Sequence, residues 1–315
     1  MITTTKGAKD RSTHRRPALF YASAREGFAD YLRPLLGSAS RSVLLPAFVG
    51  WSSNEGSGVL DPVESLGLTP VFYRLNHDLT VDVEDLERRL SEDQHLCVVL
   101  IHYYGRTDPA LPRIADLAER SGTPLVEDLA HGLFTTAAGG GAGSRGEASL
   151  YSLHKMLPLD DGGMVVYASE DAAGERSGTR PEMAGLVLQY DWPSISRDRR
   201  ASFERLTRAL RAGPVSRGDV ELVWPMLSSD DVPQTLPVYV HTGERDELYH
   251  RLNAEGHGVV SLYHTMVSYL SDDRQAQWLA SHILNLPVHQ DVEPAALDDL
   301  VARMERYFED VRGAS

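Results

Sequence analysis

With 315 residues, 42% of them hydrophobic, the chain can bury a sizeable core and form two domains. Its net charge of −14 argues against nucleic acid or an anionic membrane as partner, since both reward positive charge, and no apolar run approaches the roughly 20 residues that span a bilayer. Residues 1–16 lack the apolar core of a signal peptide, and the single cysteine, Cys97, allows no intramolecular disulfide, which fits a reducing cytoplasm.

Residues 1–18 form a polar lead that reads as disordered. From 19 to 172, apolar strands alternate with helical patterns. A helix is expected near 24–36, a strand at 43–45, a helix at 59–66 and a strand at 70–73. A helix at 83–90, a strand at 96–102, a helix at 110–120 and a strand at 123–127 follow. Such alternation predicts right-handed βαβ units and a mainly parallel sheet. Gly139-Gly140-Gly141-Ala142-Gly143 invites comparison with a dinucleotide-binding fingerprint, but that fingerprint follows a strand and opens a helix. Here the glycines lead into the strand 148–152, so the stretch reads as a flexible loop. Residues 173–236, rich in Arg, Ser, Gly and Asp, read as a connection carrying one Arg-rich helix near 197–211, and as a candidate contact with a second copy of the chain. Residues 237–315 read as a smaller α/β domain, with a strand at 236–241, a helix at 245–255 and a terminal helix at 294–307.

Lysine is scarce. Lys6 and Lys9 fall in the polar lead, which leaves Lys155 alone in the folded body. Arginine stays charged at any accessible pH, whereas a lysine can lose its proton and attack a carbonyl as a free amine, as Schiff-base chemistry requires. Around it, Ser152-Leu153-His154-Lys155 forms a polar turn between a buried strand and an apolar strand opened by Gly162-Gly163. In α/β proteins such turns lie at the sheet edge where ligands collect, and Ser152 and His154 can donate to a phosphate. Ser152 to Lys155 also fits the S-x-x-K of serine β-lactamases, but the S-D-N and K-T-G partners of that motif are missing. Upstream, the strand Pro124-Leu125-Val126-Glu127-Asp128 ends in two acids. An Asp across the site from the lysine could keep a pyridine nitrogen protonated and so make the ring an electron sink. A solvated acid at a strand end is the simpler alternative, and agreement with Lys155 favours the first.

These residues resemble the pyridoxal-phosphate enzymes of fold type I, and within them the DegT/StrS group of sugar aminotransferases. Glu127-Asp128-Leu129-Ala130-His131 is similar to the family's E-D-x-A-Q/H, and Lys155 followed by Gly162-Gly163 is similar to its lysine with a Gly-Gly strand. His102-Tyr103-Tyr104-Gly105 resembles H-x-Y-G, Leu45-Pro46-Ala47-Phe48 resembles L-P-A-aromatic, and Ile283-Leu284-Asn285-Leu286-Pro287-Val288-His289 resembles I-L-x-L-P-V-H. The order of the motifs strengthens each of them. Two departures stand out: Ser152 lies three residues before the lysine instead of five, in an S-x-H-K arrangement similar to amino-acid decarboxylases, and no N-Y-R-M stretch occurs within 174–236.

The resemblance implies a three-layer α/β sandwich with a mainly parallel sheet and a smaller C-terminal α/β domain. It also implies pyridoxal 5'-phosphate as cofactor and transamination between an amino-acid donor and a keto or aldehyde acceptor. A decarboxylase, lyase or dehydratase, or a cofactor-binding regulator without activity, is the alternative. Lys155 is the expected Schiff-base residue and general base, with Asp128 at the ring nitrogen and His131 near the phenolic oxygen. Ser152, His154 and the helix start Ser23-Ala24-Arg25 are expected at the phosphate, although Ser23 would equally serve as a plain N-cap. Trp51 or Phe48 could stack on the ring, Phe48 fitting a core position better. Tyr104, Asn54, Tyr263 and His264 are candidates for the substrate pocket. No metal is expected, and the active form is expected to be a homodimer.

Overall fold

Strong alternation of apolar strands with amphipathic segments produces the expected sheet. In the computed structural model, which describes residues 16–53 and 56–314, seven strands form it. They are β1 (Ala18–Tyr21), β2 (Ser42–Pro46), β3 (Thr69–Tyr73), β4 (Val98–Ile101), β5 (Leu125–Asp128), β6 (Ala148–Ser152) and β7 (Gly163–Tyr167), in the order β1-β7-β6-β5-β4-β2-β3. Neighbours from β6 through β5, β4 and β2 to β3 run parallel, and β7 is antiparallel to both β6 and β1. Every residue of β4, β5 and β6 is buried. Strands buried on both faces need a helical layer on each side, so the three-layer α/β arrangement is borne out.

The chain runs outward from β2 to β3, then returns to the other side of β2 to lay down β4, β5 and β6 in turn. That reversal opens a crevice beyond the carboxyl ends of β2 and β4, where ligands of open α/β sheets bind. Pro46, Ile101, Asp128 and Ser152 are the last residues of the strands that face it.

Helix Ala24–Leu32 is brought to the same edge by two local devices. Ser23 caps it: the Glu26 N–H donates to Ser23 Oγ at 3.1 Å, and the Glu26 carboxylate reaches back to accept from the Ala22 N–H at 3.0 Å. Gly163 then lets β7 approach the helix start, because a Cβ there would overlap the Ser23 carbonyl carbon and the Ala24 nitrogen. Gly163→Ala is therefore expected to push the helix start away from β7 and destabilise the fold by roughly 1–3 kcal/mol. Chemical denaturation measures this, and an unchanged midpoint would show that the close approach carries no energetic weight.

A second, antiparallel sheet contains β8 (Val220–Leu222), β9 (Thr235–Val240) and β10 (Ile283–Pro287), in the order β10-β9-β8. Helices Trp192–Ala212, Arg245–Ala254 and Pro294–Ala314 pack around it, with Phe203, Leu206, Leu210, Val238, Leu252 and Met304 in the shared core. The expected start of the small domain at 237 thus falls inside β9. Helix Trp192–Ala212 and β8 lie in the span 173–236, which was expected to be mainly connection. Phe203, Leu206 and Leu210 form a buried stripe at helical spacing, and the surrounding arginines hid that stripe in the sequence.

Two further expectations change. Of the lead 1–18, residues 1–15 lie outside the described residues, but Arg16 already donates to the carbonyls of Gly143 and Ser144, and Ala18 pairs with Val166. The Gly-rich stretch does lead into β6, yet it is tied down: Gly143, Arg145 and Gly146 all donate backbone N–H groups to the Glu127 carboxylate.

Candidate active site

Successive side chains of a strand point to opposite faces, so the two acids that end β5 do different work. Glu127 turns away from the crevice. Its fully buried carboxylate accepts from His102 Nε2 at 2.8 Å, from Gly143 N at 2.7 Å, from Arg145 N at 2.8 Å and from Gly146 N at 2.6 Å. Burial pushes its pKa up, but the hydrogen bond from His102 and those from the loop N–H groups outweigh this and hold it below the ordinary value. A depressed folded-state pKa gives stability that is present above the unfolded value and lost as pH falls. Glu127→Gln removes the charge and turns one acceptor into a donor, leaving buried N–H groups unmatched. A loss of about 3–5 kcal/mol at neutral pH is expected, shrinking under acid conditions. Urea titrations at neutral and acid pH check this, and a pH-independent loss would contradict it.

Asp128 faces the crevice. Its Oδ1 accepts from Ala130 N at 2.9 Å, and burial drives its carboxyl pKa above the usual range, although Ala130 N–H and the charge of Lys155 oppose the rise. His131, three residues on, is 1% exposed. Its Nδ1 accepts from Tyr104 N at 3.4 Å, and its Nε2 is buried with no hydrogen-bond partner among the described residues. Burial, reinforced by Lys155, holds its basicity well below that of free imidazole.

Asp128, His131 and Lys155 line one cleft of about 760 Å³ together with Ser152 and His154. Ser152 ends β6, and its Oγ lies 3.4 Å from His154 Nδ1. The first turn of helix Ala24–Leu32 forms one wall of the cleft through Ser23, Ala24 and Arg25. There the Ser23 hydroxyl acts as the N-cap and the Arg25 guanidinium pairs with Asp61 at 3.4 Å. Trp51, 47% exposed, borders the cleft, and so do Tyr263 and His264.

Two expected residues are not brought into the cleft. Phe48 is fully buried with its ring 5.7 Å from Tyr103 and 5.1 Å from Tyr263, so it is a core residue, and of the two stacking candidates Trp51 is the one at the cleft. Tyr104 is also fully buried; it stacks behind His131 with centroids 5.7 Å apart and does not line the pocket. Asn54 lies outside the described residues. Conversely, Tyr249 and His250 of helix Arg245–Ala254 line the cleft and were not anticipated. An amphipathic helix gives no local sign of which of its polar residues will meet a distant strand end.

The seven-stranded, mainly parallel α/β sheet thus gathers a lysine, an acid and a histidine in one cleft. Residues 46–177 match the sequence profile of the DegT/DnrJ/EryC1/StrS aminotransferase family, a stretch that includes Asp128, His131 and Lys155, and the resemblance read from the sequence is borne out. Among solved structures, the chain is similar to the aminotransferase TlmJ from Streptoalloteichus hindustanus, with TM-score 0.72 and 21% identity over 93% of this chain and 86% of that one. It is similar to an aminotransferase from Psychrobacter cryohalolentis, with TM-score 0.76 and 18% identity over 94% of this chain and 88% of that one. A putative sugar aminotransferase from Streptococcus pneumoniae, solved in its PMP form, gives TM-score 0.75 and 15% identity over 93% and 88% of the two chains. At these identities the likeness establishes the fold.

Proposed function

We propose that the protein is a pyridoxal-phosphate-dependent aminotransferase that moves an amino group from an amino-acid donor to a keto or aldehyde acceptor, a sugar or another biosynthetic intermediate. The observation that carries this is the convergence of Lys155, Asp128 and the unpartnered Nε2 of His131 on one cleft, within the stretch that matches the aminotransferase family. The residues present fit the cofactor. A buried imidazole nitrogen without a partner calls for a ligand atom, and a buried carboxyl calls for a cationic or proton-bearing one.

When bound, pyridoxal phosphate supplies an aldehyde carbon for amines and a ring that withdraws electrons. Lys155 Nζ, the one lysine among the described residues, carries the amine chemistry and then takes and returns the proton of the substrate α-carbon. Asp128 favours a protonated ring nitrogen. Ser152 and the first turn of helix Ala24–Leu32 bind the phosphate at the positive end of the helix. Trp51 offers a flat apolar face at the cleft border. The half-buried ring of Tyr263 gives that side of the pocket an aromatic wall.

The S-x-H-K turn, with Ser152 and His154 in contact, favours a second reading as an amino-acid decarboxylase. One experiment separates the two. Incubation of the cofactor-loaded protein with a panel of amino donors such as glutamate should convert the cofactor to pyridoxamine phosphate. Release of carbon dioxide without that product would establish decarboxylation, and an unchanged spectrum across the panel would indicate a binding protein without activity.

The active form is proposed to be a homodimer, supported by the strongly exposed apolar side chains Leu188 and Met226 at 80% and 75% exposure. Two arginines of the Arg-rich helix are already engaged within the chain: Arg199 is buried against Gln290 and the backbone of Pro233 and Gln234, and Arg205 pairs with Asp298. Among the described residues no helix is long and apolar enough to cross a membrane. The free, buried Cys97 supports a cytoplasmic location.

A further inference from the structure

We propose that the turn Tyr103–Gly105 is a positioning element that locks His131 as the neutral tautomer with its proton on Nε2, so that the cleft receives a fixed hydrogen-bond donor. A backbone N–H can only donate, so the contact from Tyr104 N at 3.4 Å requires a lone pair on His131 Nδ1. A neutral ring then carries its proton on Nε2, the buried atom without a partner among the described residues. Protonation of the ring would set an N–H on Nδ1 against the Tyr104 N–H, two donors facing each other. Burial and the nearby Lys155 charge act in the same direction.

The turn shows the marks of a conformation held for a purpose. Tyr104 adopts φ 52° and ψ 24°, left-handed values that a side chain disfavours, and such outliers persist only where the surroundings enforce them. Gln234 N donates to Tyr104 O at 2.7 Å, and Thr135 Oγ1 donates to Gly105 O at 2.6 Å while accepting from Val232 N at 2.9 Å. Gly105, at φ 92°, is packed so closely that a Cβ would overlap the Val232 carbonyl oxygen. The Tyr104 ring stacks on the imidazole with an interplanar angle of 19°, while the lock itself lies in the backbone N–H. Segment 232–234, distant in sequence, thereby sets the proton position on a cleft histidine through Tyr104, which itself does not line the cleft.

The inference deepens the functional reading above, but its test does not depend on that reading. Long-range proton–nitrogen correlation spectra of the full chain, labelled with nitrogen-15 histidine and recorded without cofactor at neutral pH, should show one protonated and one bare ring nitrogen for His131. The signals are assigned by their loss in His131→Asn, and the protonated nitrogen should be Nε2. Tyr104→Gly keeps the N–H and tolerates the left-handed turn, so the pattern should persist. Thr135→Val removes the clamp on Gly105, and a second set of signals from the Nδ1-protonated form should appear. A wild-type ring protonated on Nδ1, or on both nitrogens, overturns the proposal, as does an unchanged pattern in folded Thr135→Val. If the latter variant does not fold, the wild-type spectrum alone decides. A protein with the stated tautomer that binds no pyridoxal phosphate would refute the functional reading and leave this one standing.

Discussion

Lys155→Ala is expected to abolish the near-visible absorbance of lysine-bound pyridoxal phosphate and to lower turnover by roughly 10²–10⁴-fold or more, the range set by loss of a positioned general base. The covalent link disappears as well, so cofactor should wash out on gel filtration. Lys155 is the one lysine among the described residues, and no second lysine lines the cleft beside it. Lys155→Arg should behave like the alanine variant, since a guanidinium keeps its charge and cannot act as a free amine. Arginine-level rescue of activity would sink the assignment, because it would show that positive charge alone suffices.

Asp128→Asn is expected to separate stability from chemistry. Burial raises the Asp128 pKa above that of an unfolded chain, so between those two values the folded state holds the proton more strongly and stability falls as pH rises. At neutral pH, above the unfolded value, the buried carboxyl group therefore subtracts from the stability of the cofactor-free protein. An asparagine keeps the shape and can still accept from Ala130 N, but carries no charge. The cofactor-free variant should melt at the same temperature or higher, while turnover falls by roughly 10²-fold or more through loss of a buried, charge-assisted contact. Scanning calorimetry and initial rates read the two halves separately. A lower melting temperature would contradict the burial argument, and near-normal turnover would remove Asp128 from the ring nitrogen. Glu127 could not then inherit the role, because its carboxylate faces the opposite side of β5 and is saturated by His102 and three loop N–H groups.

The large domain was legible because its signals are local. Buried strands such as Val98–Ile101 read as unbroken apolar runs, and the helices between them show regular apolar spacing. The motif residues Lys155, Asp128 and His131 stand at strand ends, so a correct strand order brings them together without further information. Helix Trp192–Ala212 was only half legible: its position was visible, but its buried face was masked by arginines that are spent on internal carbonyls and surface acids. Phe48 was the better core candidate of the two aromatics that follow β2, and it is long-range packing, of Tyr103 and Tyr263 against it, that covers it and not Trp51. Tyr249 and His250 were invisible for the same reason. Their place at the cleft depends on how the second sheet docks against the first, through long-range contacts such as Trp224 Nε1 to Asp78 O at 3.0 Å and Gln275 Nε2 to Leu75 O at 2.7 Å.

Borohydride reduction of the wild-type protein loaded with pyridoxal phosphate, followed by peptide mass mapping, tests the assignment of this cleft most directly. Reduction should fix the mass of the cofactor on the peptide that contains Lys155, and a competing amine or the Lys155→Ala substitution should remove that label. Label confined to Lys6 or Lys9, or absent from every peptide with cofactor in excess, would contradict the cleft built by Lys155, Asp128 and His131 as the cofactor site.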